Sequence, residues 1–161
     1  MKRFLILAAA ATIALSACAQ NSSKNTTAAQ NAPQTIANQQ TQSGIKWENG
    51  TLMDALKKAK ESGKELVFLD CYATWCGPCK YMANEVFTTK EAGDYFNKKF
   101  VNIKIDMEKG EGIGLARELR IQGYPTFVIL NSNGKELGRI VGGAQIGQFI
   151  KKVEEVLNKN K

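Results

Sequence analysis

The feature that most constrains this chain is a pair of cysteines, Cys76 and Cys79, that are separated by two residues and preceded by the mostly apolar run 65–70. The run predicts a buried strand that ends near Asp70, so the pair lies where a helix begins. Unpaired amides and the helix dipole favour a thiolate at that point. We therefore expect Cys76 to be an exposed nucleophile and Cys79, one turn later, to be a resolving thiol that faces the core.

Two other uses of such a pair fit this chain less well. A structural zinc site needs four ligands, and the chain has no histidine and no second pair of cysteines at this spacing. A purely structural disulfide would close too short a loop to stabilise the fold much. Pro78 has no N–H to lose on a first helical turn, and it stiffens that turn. The pattern favours a redox dithiol that needs neither a metal nor an added cofactor.

Three segments, taken in order, resemble the thioredoxin family. They are residues 69–80 (LDCYATWCGPCK), 123–127 (GYPTF) and 141–143 (VGG). The resemblance extends from about Trp47 to the C-terminus, and within the family the chain is similar to the C-terminal domain of the transmembrane thiol-disulfide interchange reductase. It implies a thioredoxin fold, an α/β fold with a central mixed sheet and helices on both faces. It also implies an enzyme, a thiol-disulfide oxidoreductase that acts on protein disulfides.

The periodicity of the remaining residues predicts the same fold class. Apolar residues at helical spacing follow capping signals at Thr51 and Thr89, and Asn133-Gly134 predicts a hairpin. An order of strand, helix, strand, helix, hairpin and helix predicts a mixed sheet covered by helices. The predicted elements are a short first strand near 45–47, helices at 51–63, 88–100, 115–119 and 146–157, and strands at 65–70, 101–105, 126–130 and 136–141.

A carboxylate at Asp70 is costly to bury, because it lies near the end of an otherwise apolar strand. Burial should raise its pKa. The resemblance implies that Asp70, directly or through water, acts as general base for Cys79. The alternative is a structural carboxylate that pairs with a lysine at the sheet edge. Many thioredoxins carry a lysine beside this aspartate, and we expect Asn102 to occupy that position here.

The resemblance also implies which residues contact a substrate. Pro125 is expected to be cis, so that the Tyr124 backbone can pair with an incoming peptide; a trans turn proline is the alternative. Trp75 is expected to be a contact surface rather than part of the core, and Gly142 is expected to admit a partner backbone. The residues assigned to substrate binding are Trp75, Gly77, Pro78, Tyr124, Pro125 and Gly142.

The first 44 residues differ in composition from the rest of the chain. Residues 1–17 have a basic start and a short apolar stretch, which predicts a signal peptide. The motif Leu-Ser-Ala-Cys that ends at Cys18 resembles a lipobox, so Cys18 is expected to be lipidated. Residues 18–44 are polar and predict a flexible tether, followed by a thioredoxin-like domain at 45–161. The alternative is an ordinary secretory peptide with a chance cysteine.

These features predict a lipid-anchored, monomeric protein of the bacterial cell envelope. Ala19 after the lipidated cysteine favours the periplasmic face of the outer membrane, and a thiol electron donor in the inner membrane would re-reduce the dithiol. The net charge falls from +7 to +5 when Lys2 and Arg3 are removed, and no basic run is interleaved with aromatic residues. Nucleic-acid binding is therefore not expected.

Two assignments have alternatives: the direction of the reaction, and the role of Cys71, the cysteine that belongs neither to the dithiol nor to the lipobox. Gly77-Pro78 between the cysteines resembles reducing members of the family, so we predict a reductant of protein disulfides. An isomerase or oxidase is one alternative, and a non-catalytic binding module on the same scaffold is another. Cys71 is expected to be a buried, inert thiol, with a regulatory partner for Cys76 as the alternative.

Overall fold

The computed structural model describes residues 43–161, in which a single sheet is flanked by helices. The strands are β1 (Trp47–Glu48), β2 (Leu66–Tyr72), β3 (Val101–Asp106), β4 (Thr126–Asn131) and β5 (Glu136–Val141). The helices are α1 (Leu52–Ser62), α2 (Gly77–Tyr81), α3 (Lys90–Lys99), α4 (Gly112–Glu118) and α5 (Ile146–Asn158), and α2 continues into a π-helical turn (Met82–Val86). Every predicted element is present, although α4 begins three residues earlier than predicted and β1 starts only at Trp47. The π-turn was not predicted.

The sheet is mixed, with strand order β1-β3-β2-β4-β5. Strands β1, β3 and β2 are parallel, and β4 pairs antiparallel with both β2 and β5. The crossovers between the parallel strands are made by helices, as short loops cannot return a chain to a parallel neighbour. The predicted α/β fold with a central mixed sheet is therefore confirmed.

Local sequence signals explain where α1 begins and ends. The Thr51 side chain accepts a hydrogen bond from the Asp54 N–H at 3.2 Å, and the Asp54 carboxylate accepts one from the Thr51 N–H at 2.8 Å. This reciprocal arrangement is a capping box with aspartate in place of glutamate. Gly63 ends the helix at φ 67°, a left-handed conformation that glycine adopts without strain.

The two faces of the sheet have different cores. Phe68 on β2 lies at the centre of an aromatic layer, with ring centroids 4.6 Å from Phe96 and 5.7 Å from Phe127. The opposite layer, against α1 and α4, consists mainly of aliphatic side chains. Because side chains alternate along a strand, Asp70 shares the face of Phe68, and Cys71 faces the aliphatic layer. Cys71 is a free, fully buried thiol, as predicted, and burial raises its pKa.

Asn102 anchors the start of the domain rather than standing beside Asp70. Its Cα is in register with Trp47 on one side and Phe68 on the other. Its side-chain amide donates to the Lys46 carbonyl at 3.4 Å and to Asn97 Oδ1 at 3.3 Å. The expectation for Asn102 was therefore wrong, because these contacts direct its side chain toward β1 and α3.

Several predictions about the N-terminal region lie outside the described residues. These are the signal peptide at 1–17, the lipidation of Cys18 and nearly all of the tether at 18–44. Within residues 43–161, none of the helices has the length and apolar character needed to span a bilayer.

Candidate active site

The dithiol lies at the N-terminal end of α2, four residues after β2 ends. Cys76 is the N-cap of α2, and its Sγ accepts a hydrogen bond from the Cys79 N–H at 3.1 Å. The Cys76 N–H in turn donates to the Ala73 carbonyl at 3.1 Å. The two sulfurs are joined in a disulfide. The predicted placement of the pair at a helix start is confirmed, and an amide that donates to the first sulfur would stabilise its thiolate.

Burial does not distinguish the two sulfurs in this disulfide form. Cys76 is 2% exposed and Cys79 is 5% exposed, so the expectation of an exposed Cys76 was wrong for this state. The reason is local packing, since Tyr72 and Tyr124 pack against the cluster that the two cysteines form with Ala73. The two sulfurs differ instead in their contacts: Cys76 Sγ accepts a hydrogen bond from the Cys79 N–H, and Cys79 lines a cavity that also contains Asp70.

A cavity of about 210 Å³ joins Cys79 to Asp70. Asp70 is 4% exposed, and its Oδ1 has no hydrogen-bond partner among the described residues. Burial raises its pKa to about 7, and the positive charge of Lys104 opposes that rise. The predicted rise is confirmed. A carboxyl with this pKa can accept and release a proton near neutral pH, and the cavity is large enough to hold water between it and Cys79.

A lysine does lie beside Asp70, but at a position that the sequence did not indicate. The parallel register of β2 and β3 pairs Asp70 with Lys104. Lys104 also lines the cavity, at its exposed side. No ion pair joins the two side chains within residues 43–161. The alternative of a structural carboxylate paired at the sheet edge is therefore wrong, and Lys104 acts on Asp70 through its charge alone.

The loop before β4 packs Tyr124 against the dithiol. The Tyr124–Pro125 peptide bond is cis, as predicted. The Pro125 carbonyl accepts a hydrogen bond from the Gly142 N–H at 2.9 Å, which links this loop to the end of β5. Gly142 has φ 81°, and open space surrounds the position where a Cβ would lie. Gly142 is thus required for its backbone conformation, and it leaves room for another chain.

Two aromatic side chains form a wall next to the dithiol. Trp75 is 65% exposed, and its ring meets the edge of Tyr124 at a centroid distance of 5.9 Å. The Trp75 indole N–H donates to Glu108 Oε2 at 2.8 Å. Burial, together with the charges of Glu108 and Asp106, raises the pKa of Tyr124. The predicted exposure of Trp75 as a surface residue is confirmed.

An open groove borders the other side of the dithiol. Across it, the Gln145 side-chain amide donates to the Tyr81 hydroxyl at 2.5 Å. The residues that line the groove are Gly77, Pro78, Tyr81, Gly143, Ala144 and Gln145. Of the six residues that we assigned to substrate binding, Gly77 and Pro78 line this groove. Tyr124 packs against the dithiol cluster and contacts Trp75, and Pro125 is hydrogen-bonded to Gly142. Their role in substrate binding stays a prediction.

Sequence reasoning missed Lys104 and Glu108. Lys104 was identifiable only from the register between two strands that lie far apart in sequence. Glu108 contacts Trp75 across 33 positions, and nothing in the local sequence marks that contact.

A mixed sheet that presents a dithiol at a helix start, beside a cis-proline and a buried carboxyl, defines a thioredoxin-like protein. A family model described as a thioredoxin-like domain matches residues 52–157. The chain therefore belongs to the thioredoxin-like family, and the thioredoxin fold expected from the sequence is confirmed.

Known proteins similar to this chain include a curated relative and two solved structures. Rice chloroplastic Thioredoxin Y is 38% identical over 97 residues, which are 60% of this chain and 54% of that protein, so the chain spans about half of that relative's length. A solution structure from Bacteroides thetaiotaomicron, described as a disulphide-isomerase, is 42% identical with a TM-score of 0.65, covering 71% of this chain and 94% of that one. A Thermus thermophilus thioredoxin is 26% identical with a TM-score of 0.62, covering 71% and 88%.

Proposed function

We propose that this protein is a thiol-disulfide oxidoreductase that acts mainly as a reductant of protein disulfides. The observation that carries the proposal is the shared cavity, in which a carboxyl with a pKa of about 7 lies near Cys79, the second sulfur of the dithiol. Family membership supports thiol-disulfide chemistry in general. The Gly77-Pro78 spacer, which resembles that of reducing members, supports the direction.

The reaction transfers two electrons from the dithiol to the substrate. The Cys76 thiolate attacks one sulfur of a substrate disulfide, forms a mixed disulfide and releases the other substrate sulfur as a thiolate. The Cys79 thiolate then attacks Cys76 Sγ, closes the Cys76–Cys79 disulfide and releases the second substrate thiolate. The two substrate thiolates take up two protons. A separate dithiol donor must reduce the pair again before the next cycle.

Asp70 handles the proton in the second half of this cycle. Cys79 must lose its proton in order to attack, and it is buried away from bulk water. The Asp70 carboxylate would accept that proton through water in the cavity and later pass it to solvent past Lys104. Asp70 is thus proposed as the general base for Cys79, and the dithiol itself is the redox centre, with no added cofactor.

The substrate polypeptide would lie along the cis-proline loop. The Tyr124 backbone next to Pro125 would pair with an extended segment as an added strand. Gly142 leaves space on one side of that segment, and Trp75 provides an apolar contact on the other. Gly77 and Pro78 complete the surface beside the reacting sulfurs.

We further propose that the protein works in the bacterial cell envelope, on the periplasmic side of the outer membrane. The support is the signal-peptide and lipobox pattern that ends at Cys18, followed by a polar tether. A dithiol protein of the inner membrane would supply the electrons. Metabolic labelling with palmitate tests the anchor: label should enter the wild type and be absent from Cys18→Ala.

Isomerisation is the second candidate function. It is favoured by the 42% identity to the Bacteroides protein described as a disulphide-isomerase.

Reduction of insulin and refolding of scrambled ribonuclease separate the two functions, with Cys76→Ser and Cys79→Ala as the test variants. A reductant is expected to be faster in the insulin assay, and Cys79→Ala is expected to accumulate mixed disulfides. If Cys76→Ser kept full activity in cells, the fold would be a binding scaffold and the proposal would be wrong.

A further inference from the structure

We propose that Glu108 is a positioning residue that holds the Trp75 indole against Tyr124, so that a substrate polypeptide beside Pro125 meets an aromatic wall that is already ordered. The proposal rests on the proposed function and concerns the binding of substrate. Its basis is one contact at which three chain segments meet. The Trp75 indole N–H donates to Glu108 Oε2 at 2.8 Å, and the same ring meets the edge of Tyr124 at 5.9 Å and 71°.

The loop that carries Glu108 is itself held in place. The Met107 N–H donates to the Tyr72 carbonyl at 2.9 Å, and the Met107 side chain is buried. The Glu108 N–H donates to Asp106 Oδ1 at 3.1 Å, and Lys109 forms an ion pair with Asp106 at 3.1 Å. The Glu108 backbone is therefore fixed next to the end of β2, and its carboxylate reaches the indole from that fixed point.

The hydrogen bond between Trp75 and Glu108 is not explained by a contribution to the stability of the fold. Trp75 is 65% exposed, and a hydrogen bond at an exposed site contributes little to folding. An indole that rotates freely must, however, be immobilised when a partner binds, and ordering it in advance removes that part of the binding cost. We expect the effect in KM for polypeptide substrates. It should be absent from kcat and from reactions with small molecules that do not reach the wall.

The test compares Glu108→Ala, which removes the acceptor, with Glu108→Gln, which keeps a carbonyl oxygen for the indole. Glu118→Ala, at an exposed glutamate on α4, is the matched control. Insulin reduction with dithiothreitol as donor gives KM and kcat, and the reaction of the reduced dithiol with dithiobis-nitrobenzoate reports the chemistry alone. Glu108→Ala should raise KM by about 3- to 10-fold. Glu108→Gln and Glu118→Ala should leave KM near the wild-type value, and all variants should react equally with the small disulfide.

The Trp75 indole ¹H–¹⁵N resonance, assigned with Trp75→Phe, reads the contact directly. It should shift and exchange faster with water in Glu108→Ala, and it should stay close to the wild-type position in Glu108→Gln. An unchanged resonance and KM in Glu108→Ala, or equal rises in KM for both variants, would overturn the proposal. A wild type that reduces no insulin would refute the proposed function and the role of Glu108 with it, and the unsubstituted protein reveals that outcome directly.

Discussion

Replacing Asp70 with asparagine should stabilise the protein in a pH-dependent way. Burial raises the pKa of this carboxyl from 3.8 to about 7. Below pH 3.8 the group is protonated in the folded and the unfolded chain, so it adds no pH dependence. Between pH 3.8 and about 7 the unfolded chain has released the proton and the folded chain has kept it. The free energy of unfolding of the wild type therefore falls as pH rises through that window.

The magnitude follows from the two pKa values. Each pH unit between them is worth about 1.4 kcal/mol, so the free energy of unfolding of the wild type should be about 4 kcal/mol lower above pH 7 than below pH 3.8. The asparagine side chain cannot ionise, so Asp70→Asn should match the wild type within about 1 kcal/mol near pH 4 and exceed it by about 4 kcal/mol at pH 8.

Urea unfolding of the oxidised protein at intervals from pH 4 to pH 9 measures this difference. The matched control is Asp94→Asn, because Asp94 is an exposed carboxylate whose ion pair with Lys90 is worth less than about 1 kcal/mol. The reasoning would be refuted if the difference in free energy of unfolding between Asp70→Asn and the wild type did not change with pH, or if it became smaller as pH rises. That result would mean that the folded protein holds this carboxyl in its charged form.

Three further predictions follow from the described contacts. Lys104→Met should raise the pKa of Asp70 further, because it removes the positive charge that opposes the rise. The titration midpoint of the Asp70 carboxyl resonance in NMR measures this pKa, and a lower midpoint in the variant would contradict the prediction. Phe68→Ala should lower the free energy of unfolding by about 3–5 kcal/mol in urea titrations, since the ring is fully buried. A loss below about 1 kcal/mol would contradict this and would mean that neighbouring side chains fill the cavity left by the ring. Gly142→Ala should cost about 1 kcal/mol because φ is 81° there, whereas Gly114→Ala in α4 should be neutral or stabilising; equal effects in thermal unfolding would be inconsistent with this.

The parts of the structure that the sequence predicted are those determined by local patterns. The capping residues of α1, the buried strand before the dithiol and the Asn133-Gly134 hairpin each depend on a few neighbouring residues. The burial of Asp70 was predicted from its place in an apolar strand, and the cis peptide at Pro125 from the family resemblance; the structure contains both.

The parts that the sequence could not predict depend on how distant segments pair. A shift of two residues between β2 and β3 keeps every side chain on the same face, so alternation could not distinguish Asn102 from Lys104 as the neighbour of Asp70. The burial of Cys76 depends on Tyr124, which comes from a loop that lies far along the chain. Side-chain contacts of this kind exist only after the fold has formed.

The π-helical turn after α2 has a consequence for how this family can vary in length. A π-turn is an α-helical segment that has accommodated one extra residue. Met82 and Val86, at its two ends, are both buried, whereas Asn84 and Glu85 are exposed. A chain shortened by one residue here would therefore return to a regular α-helix and keep both buried anchors in place. Related proteins that lack one residue between Met82 and Val86 would be expected to keep the same active centre.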